Sequence, residues 1–270
     1  MSFVILDKID FYNNQLKTKN NTTFVLLHQN VISKMKIAIM QPYFFPYLGY
    51  FQLINAVDKF IVYNDVQYIE RGWINRNNFL INKASTLVSI PLLKASCSKR
   101  INEIEVDFNN KLLNKSLNTI KQNYSKAPFY NESFQIFHDS IFCASSKTID
   151  NICLQSFILI NEYLNLDTEF ILSSEIDYNR SASSVEKINE ISSQFNSKEI
   201  LFPSGSRQLY NISDFPNFKT SSIVTNFTPY NQFTKQFVPS LSMLDILMFN
   251  NKNTIRYLLN DFKKYSLDEE

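Results

Sequence analysis

The chain has 270 residues, of which 44% are hydrophobic, with a formal charge of +2 and three cysteines. This length and apolar content suffice for one large domain or a domain with a substantial lobe, and so mild a charge, with no concentrated basic patch, argues against nucleic acid or a membrane surface as partner. Cys97, Cys143 and Cys153 are odd in number and form no Cys-x-x-Cys pair, which fits reduced thiols in a cytoplasmic protein and neither a disulfide frame nor a zinc site.

No stretch of about 18 apolar residues is free of charges, so no membrane span is expected. Residues 1–34 carry Asp7, Lys8 and Asp10 where a secretion signal needs its apolar core. They are expected to be a flexible or loosely docked extension, or to precede a true start at Met35.

The elements follow from apolar periodicity. Lys36–Gln41 is a short run of small and β-branched apolar residues ended by Pro42, as in a buried parallel strand. Tyr47–Val57 places Leu48, Phe51, Leu53, Ile54 and Val57 near helical spacing, with Pro46 suited to the first turn. Lys59–Tyr63 reads as the next strand, completing a βαβ unit with a right-handed crossover and a ligand crevice at its strand ends. Asn78–Ile81 and Thr86–Leu92 flank Asn82-Lys83-Ala84 as a hairpin, and Ile101–Phe108 alternates as a further strand.

Leu112–Tyr124, Glu132–Cys143 and Thr148–Leu164 carry helical periodicity, with Pro128 between the first two. Glu169–Leu172 and Glu199–Phe202 are strands on either side of a helix over Ser184–Phe195, which opens on serines able to cap it. Ser222–Phe227 is a strand, and residues 239–250 hold a mostly buried helix with Ser240 or Ser242 as N-cap. The predicted fold class is α/β, a βαβ core with added antiparallel strands, in one domain over residues 35–270 with a helical insertion around 110–165.

Average glycine usage of roughly 7% predicts about nineteen glycines at this length. The chain has three, Gly49, Gly72 and Gly205, each inside a polar and aromatic cluster. Their spacing excludes a P-loop, a Gly-x-Gly-x-x-Gly dinucleotide turn and a Gly-x-Ser-x-Gly nucleophile elbow. In the first cluster, the loop from Pro42 to Gly49 offers amide N–H groups and a positive helix end to a phosphate. Gln41, Tyr43 and Tyr50 are candidates to hydrogen-bond or stack on a base or sugar, and Gly49 to let the backbone approach closely. The alternative is a tight aromatic-packed turn in which Gly49 only relieves helix–sheet crowding.

In the second cluster, Glu70 to Asn77, Arg71 and Arg76 suit a phosphate or carboxylate and Trp73, the only tryptophan, suits stacking. In an extended chain Trp73, Asn75 and Asn77 share one face while Arg76 points to the other. The alternative is a surface turn with Trp73 plugging the core. In the third cluster Ser204, Gly205 and Ser206 follow a strand as another candidate anion-binding turn, with Arg207 nearby. A serine nucleophile is disfavoured, because the two histidines are His28, in the leader, and His138, which lies among Phe134, Phe137 and Phe142. Asp65 follows the second strand and is placed either to bind a hydroxyl, metal or amine or to cap a helix. Asp245, the lone charge of an apolar helix, is either exposed or buried with a partner such as Arg76 or Arg207.

The segments K-I-A-I-M-Q-P-Y-F-F-P-Y-L-G-Y-F-Q-L-I-N-A-V-D, G-W-I-N-R-N, P-Y-N-Q and L-S-M-L-D-I-L resemble the WbqC-like proteins, from about Met35 to Asn250. The resemblance implies a cytoplasmic bacterial protein associated with O-antigen and other surface-polysaccharide gene sets. It also implies modification of an amino sugar, such as glycyl or acyl transfer to the amine of a nucleotide-linked deoxysugar. The strand, loop and helix are similar in layout to the His-x-Gly-His segment of nucleotidylyltransferases and pantoate ligases. That likeness implies a Rossmann-like core and nominates Tyr47, Gly49 and Tyr50 for nucleotide contact. Tyr47 and Tyr50 stand at the histidine positions, and a tyrosine supplies no imidazolium charge at neutral pH, which counts against adenylyl transfer itself.

The expected activity is acyl or aminoacyl transfer to a nucleotide-sugar. The Pro42–Gly49 loop is expected to hold a diphosphate or ATP phosphate, Arg71 and Arg76 to neutralise anionic oxygens, Trp73 to stack, and Asp65 to act as general base. ATP and an activated acyl group are the candidate donors, no NAD is expected, and no metal ligand is nominated. The alternatives are an ATP-dependent ligase or nucleotidylyltransferase, and a non-catalytic sugar- or nucleotide-binding module. Under the shared-site reading, the three glycine clusters converge on one pocket.

Overall fold

In the computed structural model, which describes residues 35–267, six strands form one sheet and two more form a hairpin. The expectation for residues 1–34 lies outside the described residues. In chain order the elements are β1 (Lys36–Met40), α1 (Leu48–Asn55), β2 (Lys59–Val62), β3 (Arg76–Ile81), β4 (Ala84–Ser89), α2 (Lys111–Tyr124), α3 (Tyr130–Phe142) and α4 (Ile149–Leu164). There follow β5 (Glu169–Leu172), α5 (Ser184–Gln194), β6 (Glu199–Pro203), β7 (Lys219–Thr225), α6 (Met243–Phe249), α7 (Lys252–Asn260) and β8 (Phe262–Ser266).

The large sheet runs β5-β2-β1-β6-β7-β8. Its pairings are parallel except for β7 with β8. Parallel strands must be covered on both faces, and the period-two alternation of their side chains does this. Ala38, Phe60, Val62, Leu201 and Ile223 face the larger core, which they share with α1, α4, α6 and α7. Their neighbours Ile37, Ile200 and Phe202 pack on Ile188 of α5, and Ile61 packs on Ile191 of the same helix. Within the larger core the buried Gln52 of α1 donates to the carbonyls of Leu258, at 2.8 Å, and Asp261, at 3.0 Å, which ties α1 to the end of α7.

The order of the strands places the site. From β1 the chain steps to β2 and then β5 on one side, whereas β6, β7 and β8 lie on the other. Connections therefore diverge between β1 and β6, and their carboxyl ends flank a crevice, the place where open α/β sheets take ligands. The chain between β2 and β5 carries the β3–β4 hairpin and helices α2 to α4. The hairpin turns on Asn82 and Lys83, with φ of 50° and 64°. Two consecutive positive φ angles make a turn whose twist matches its strands.

Several expectations need correction. Ile101–Phe108 is not a strand: a 3₁₀ turn spans Ile101–Glu103, and only isolated bridges pair Leu92 with Val106 and Glu105 with Thr148. The spacing of three between Ile101 and Ile104, both fully buried, suits that turn better than a pleat. Pro46 lies before the helix, because Tyr47 is the N-cap of α1. β4 stops at Ser89 and β7 begins at Lys219. Of the two serines expected to cap α6, Ser242 does so, as expected, by accepting from the Leu244 N–H at 3.2 Å. Helix α7 and strand β8 are elements the sequence reading lacks. No helix among the described residues is long and apolar enough to cross a membrane.

Candidate functional site

A cavity of about 680 Å³ opens at the carboxyl ends of β1, β2 and β6. Gln41 and Tyr43 enter it just after β1, and Pro46, Tyr47 and Tyr50 from the loop and first turn of α1. Tyr63 follows β2, Trp73 comes from the turn before β3, and Asn77 and Asn78 from the start of β3. Ser184 and Ile188 of α5, then Phe202, Gly205, Ser206 and Tyr210 around the end of β6, form the facing wall, and Ser240 also borders it. All three glycine clusters thus supply lining residues.

The loop after β1 is fixed by bonds to distant segments. Phe44 and Phe45 are fully buried, and Phe45 is held at φ 43°, a conformation uncommon for a bulky residue. Asn77 Nδ2 donates to the carbonyls of Phe44 and Phe45 at 3.0 and 2.7 Å, and Ser242 Oγ donates to Phe45 at 2.7 Å. The Phe44 N–H donates to the Trp73 carbonyl at 3.1 Å. These bonds cross-link the three segments 41–50, 72–77 and 241–247, so that tyrosines of the loop face the cavity from a rigid backbone.

The chemistry of the lining is uniform. Among its described side chains there is no Asp, Glu, Lys, Arg or His, and five are tyrosines. Burial raises the pKa of Tyr43, Tyr47, Tyr50 and Tyr210. Burial, reinforced by the nearby Asp65 charge, pushes Tyr63 up to about 12. At neutral pH all five are uncharged phenols that donate or accept hydrogen bonds and present aromatic faces. Tyr50 donates its proton to the Gln41 carbonyl at 2.7 Å and so steadies the β1 exit. Trp73 is 44% exposed, with its indole reaching the cavity, so it does not plug the core.

Other nominated residues stand elsewhere. Gly49 is buried beside β7; a Cβ there would lie 2.6 Å from the Tyr47 ring and also overlap the Thr225 hydroxyl, which is the crowding alternative. Asn75 accepts from the Tyr68 hydroxyl at 3.1 Å and donates to the Ile90 carbonyl at 2.8 Å, and Arg76 donates to the Gly72 carbonyl at 2.8 Å. Both brace the segment that carries Trp73. Arg71 is exposed at φ 60°, and Ser204 is exposed; neither lines the cavity. The side chain of Arg207 lies outside what the structure describes.

Asp65 is buried and does not line the cavity. Arg180 meets one carboxylate oxygen at 2.8 Å, and the other accepts from Ser173 and, at 2.7 Å, from the Tyr178 hydroxyl. Tyr63, on the cavity wall, is close enough to Asp65 and Tyr178 for both to act on its hydroxyl. Asp245 is fully buried; its partners are Tyr124 at 2.7 Å, Tyr230 at 2.6 Å and Gln232 at 2.8 Å, in place of the expected arginine. Burial raises its pKa. His138, half-exposed on α3, pairs with Asp139 at 3.1 Å. Among the described residues no group of three or more His, Cys, Asp or Glu is placed to hold a metal ion.

Tyr63, Tyr210, Asn78, Ser184 and Ser240 are lining residues that the sequence reading did not nominate for the site. A signal existed for two of them. Tyr63 ends the same strand whose exit drew attention to Asp65, and Tyr210 closes the stretch that begins at Ser204. Asn78 and Ser240 are brought in by long-range pairing, with the Ser242 N–H donating to the Asn78 carbonyl at 2.8 Å, and nothing local announces them.

A family model described as the WbqC-like protein family matches residues 41–257. The chain is also similar to a protein of Mycobacterium tuberculosis (strain ATCC 25618 / H37Rv) named Uncharacterized protein Rv1507c. The two are 25% identical over 224 residues, covering 78% of this chain and 92% of that protein. No solved structure matches the chain.

Proposed function

The chain belongs to the WbqC-like protein family, and we propose that it is a cytoplasmic transferase that places a glycyl or other acyl group on the amine of a nucleotide-linked amino sugar in surface-polysaccharide (O-antigen) assembly. The observation that carries this reading is the uncharged, tyrosine-rich cavity at the carboxyl ends of β1 and β6, where the strand order reverses. We read the sheet as Rossmann-like on that order. A volume of about 680 Å³ lies inside the usual range for small-molecule sites. Aromatic faces with neutral hydrogen-bonding groups suit a sugar ring, whose apolar faces pack on Tyr47 and Trp73 while its hydroxyls bond to Gln41, Asn78 and Ser206.

In this reading the phosphates stay at the rim, where the exposed Arg71 precedes Trp73, because a phosphate inside the cavity would meet no described cation. Asn75, Arg76 and Gly49 shape the walls. Asp65 holds Tyr178 and Arg180 and is not the base. The donor is a thioester or an acyl phosphate. The amine lone pair attacks the acyl carbon, the C–N bond forms, the bond to the thiolate or phosphate breaks, and the proton lost by nitrogen goes to that leaving group. The protonated phenols of Tyr43 and Tyr63 are available to hydrogen-bond the oxyanion that develops on the acyl oxygen.

Incubating the purified protein with a panel of amino-sugar nucleotides and acyl donors tests this. The expected result is a sugar nucleotide heavier by one acyl group. Quenching or enhancement of Trp73 emission without any mass change would select a binding module, and ATP–pyrophosphate exchange that requires a small acid would select a ligase. Neither binding nor turnover with any combination would overturn the reading.

A further inference from the structure

We infer that the cavity accepts the substrate's amine as the free base and rejects its ammonium form, so that the site makes a nucleophile without a side-chain base. The inference rests on the amino-sugar reading above and concerns the protonation state in which that sugar is bound.

The argument is one of surroundings. Among the described side chains, the titratable groups facing the cavity are Tyr43 and Tyr50 beside the β1 exit, Tyr47 at the start of α1, Tyr63 after β2 and Tyr210 beyond β6. The turn before β3 contributes only Trp73, β3 only Asn77 and Asn78, and α5 only Ser184 and Ile188. Three described carboxylates near the site do not line it. Asp65 does not line the cavity and has one oxygen 2.8 Å from Arg180; its charge reaches Tyr63 without offering an entering group a direct partner. Asp214 acts on Tyr210 through its charge and does not line the cavity. Asp245 is enclosed by Tyr124, Tyr230 and Gln232, none of which lines the cavity. An ammonium group entering would lose water and gain no described counter-ion, which burial penalises heavily, whereas a neutral amine needs only the hydrogen-bond partners the cavity supplies. Entry therefore releases the proton to solvent.

The experiment follows the emission of Trp73, the only tryptophan of the chain, while an amino-sugar nucleotide is titrated across two pH units below the amine's own pKa. Free-base binding makes the apparent affinity rise about tenfold per pH unit. The matching sugar with a hydroxyl in place of the amine is expected to bind with no pH dependence over the same window. Asn78→Asp places a carboxylate on the wall, and its amine titration is expected to lose most of the slope, an effect that a change in folding would not produce. Equal affinity of the wild type for the amine at every pH, or tighter binding at low pH, would overturn the inference and leave the amino-sugar reading in place. No response to either sugar would remove both.

Discussion

The Ser242 hydroxyl donates to the Phe45 carbonyl at 2.7 Å across 197 residues of sequence. The same oxygen accepts from the Leu244 N–H, so one side chain both caps α6 and holds the loop that carries the cavity tyrosines. Ser242→Ala leaves a buried carbonyl without this donor and α6 without its cap. A loss of about 1–3 kcal/mol in urea unfolding is expected, together with weaker ligand binding. An unchanged midpoint would show that Asn77 alone secures the loop.

Gly49 and Gly205 call for opposite outcomes. A Cβ at Gly49 collides with the Tyr47 ring, at 2.6 Å, and with Thr225, whereas at Gly205 it meets nothing within 4 Å. Gly49→Ala is expected to lose about 1–3 kcal/mol through overpacking, and Gly205→Ala to unfold as the wild type does. Thermal melts of the two variants side by side decide this.

Asp65→Asn separates a brace from a base. Removal of a general base lowers turnover by roughly 10²–10⁴-fold. The bonds to Arg180, Ser173 and Tyr178 predict instead a stability loss of about 1.5–3 kcal/mol, with turnover at saturating substrate reduced much less than a hundredfold. Steady-state kinetics well below the melting temperature distinguish the two.

Asp245 predicts a pH dependence of known sign. Burial raises its folded-state pKa above the ordinary value of 3.8. The folded state then holds the proton more tightly than the unfolded chain, so this group's favourable contribution is present below 3.8 and is lost as pH rises through the raised value. Asp245→Asn removes the titration. Relative to that variant, the wild type is expected to lose stability as pH climbs from acid towards neutrality, read from urea midpoints. A constant difference would mean that Asp245 titrates alike in both states.

Much of the fold was legible because it is written in local apolar patterns. β1, α1 and β2 follow from short apolar runs and helical spacing within one stretch, and the three helices after the hairpin from their own periodicity. β8 was not legible: Phe262-Lys263-Lys264-Tyr265-Ser266 puts two exposed lysines in an edge strand, and only its pairing with β7 makes it a strand. The site was legible in part. Gln41, Tyr43, Tyr47 and Tyr50 lie together in sequence and in space, and Trp73, Gly205 and Ser206 join them. Arg180 as partner of Asp65 was out of reach, since 115 residues separate the two and the pairing depends on β2 and β5 lying side by side.

A crystal structure of the protein with a nucleotide-linked amino sugar tests the central claim most directly. The account predicts the sugar ring inside the cavity against Tyr47 and Trp73, with its amine surrounded by uncharged groups and its phosphates at the rim. A sugar bound elsewhere with the cavity unfilled, or phosphates seated among Tyr43, Tyr63 and Tyr210, would contradict it.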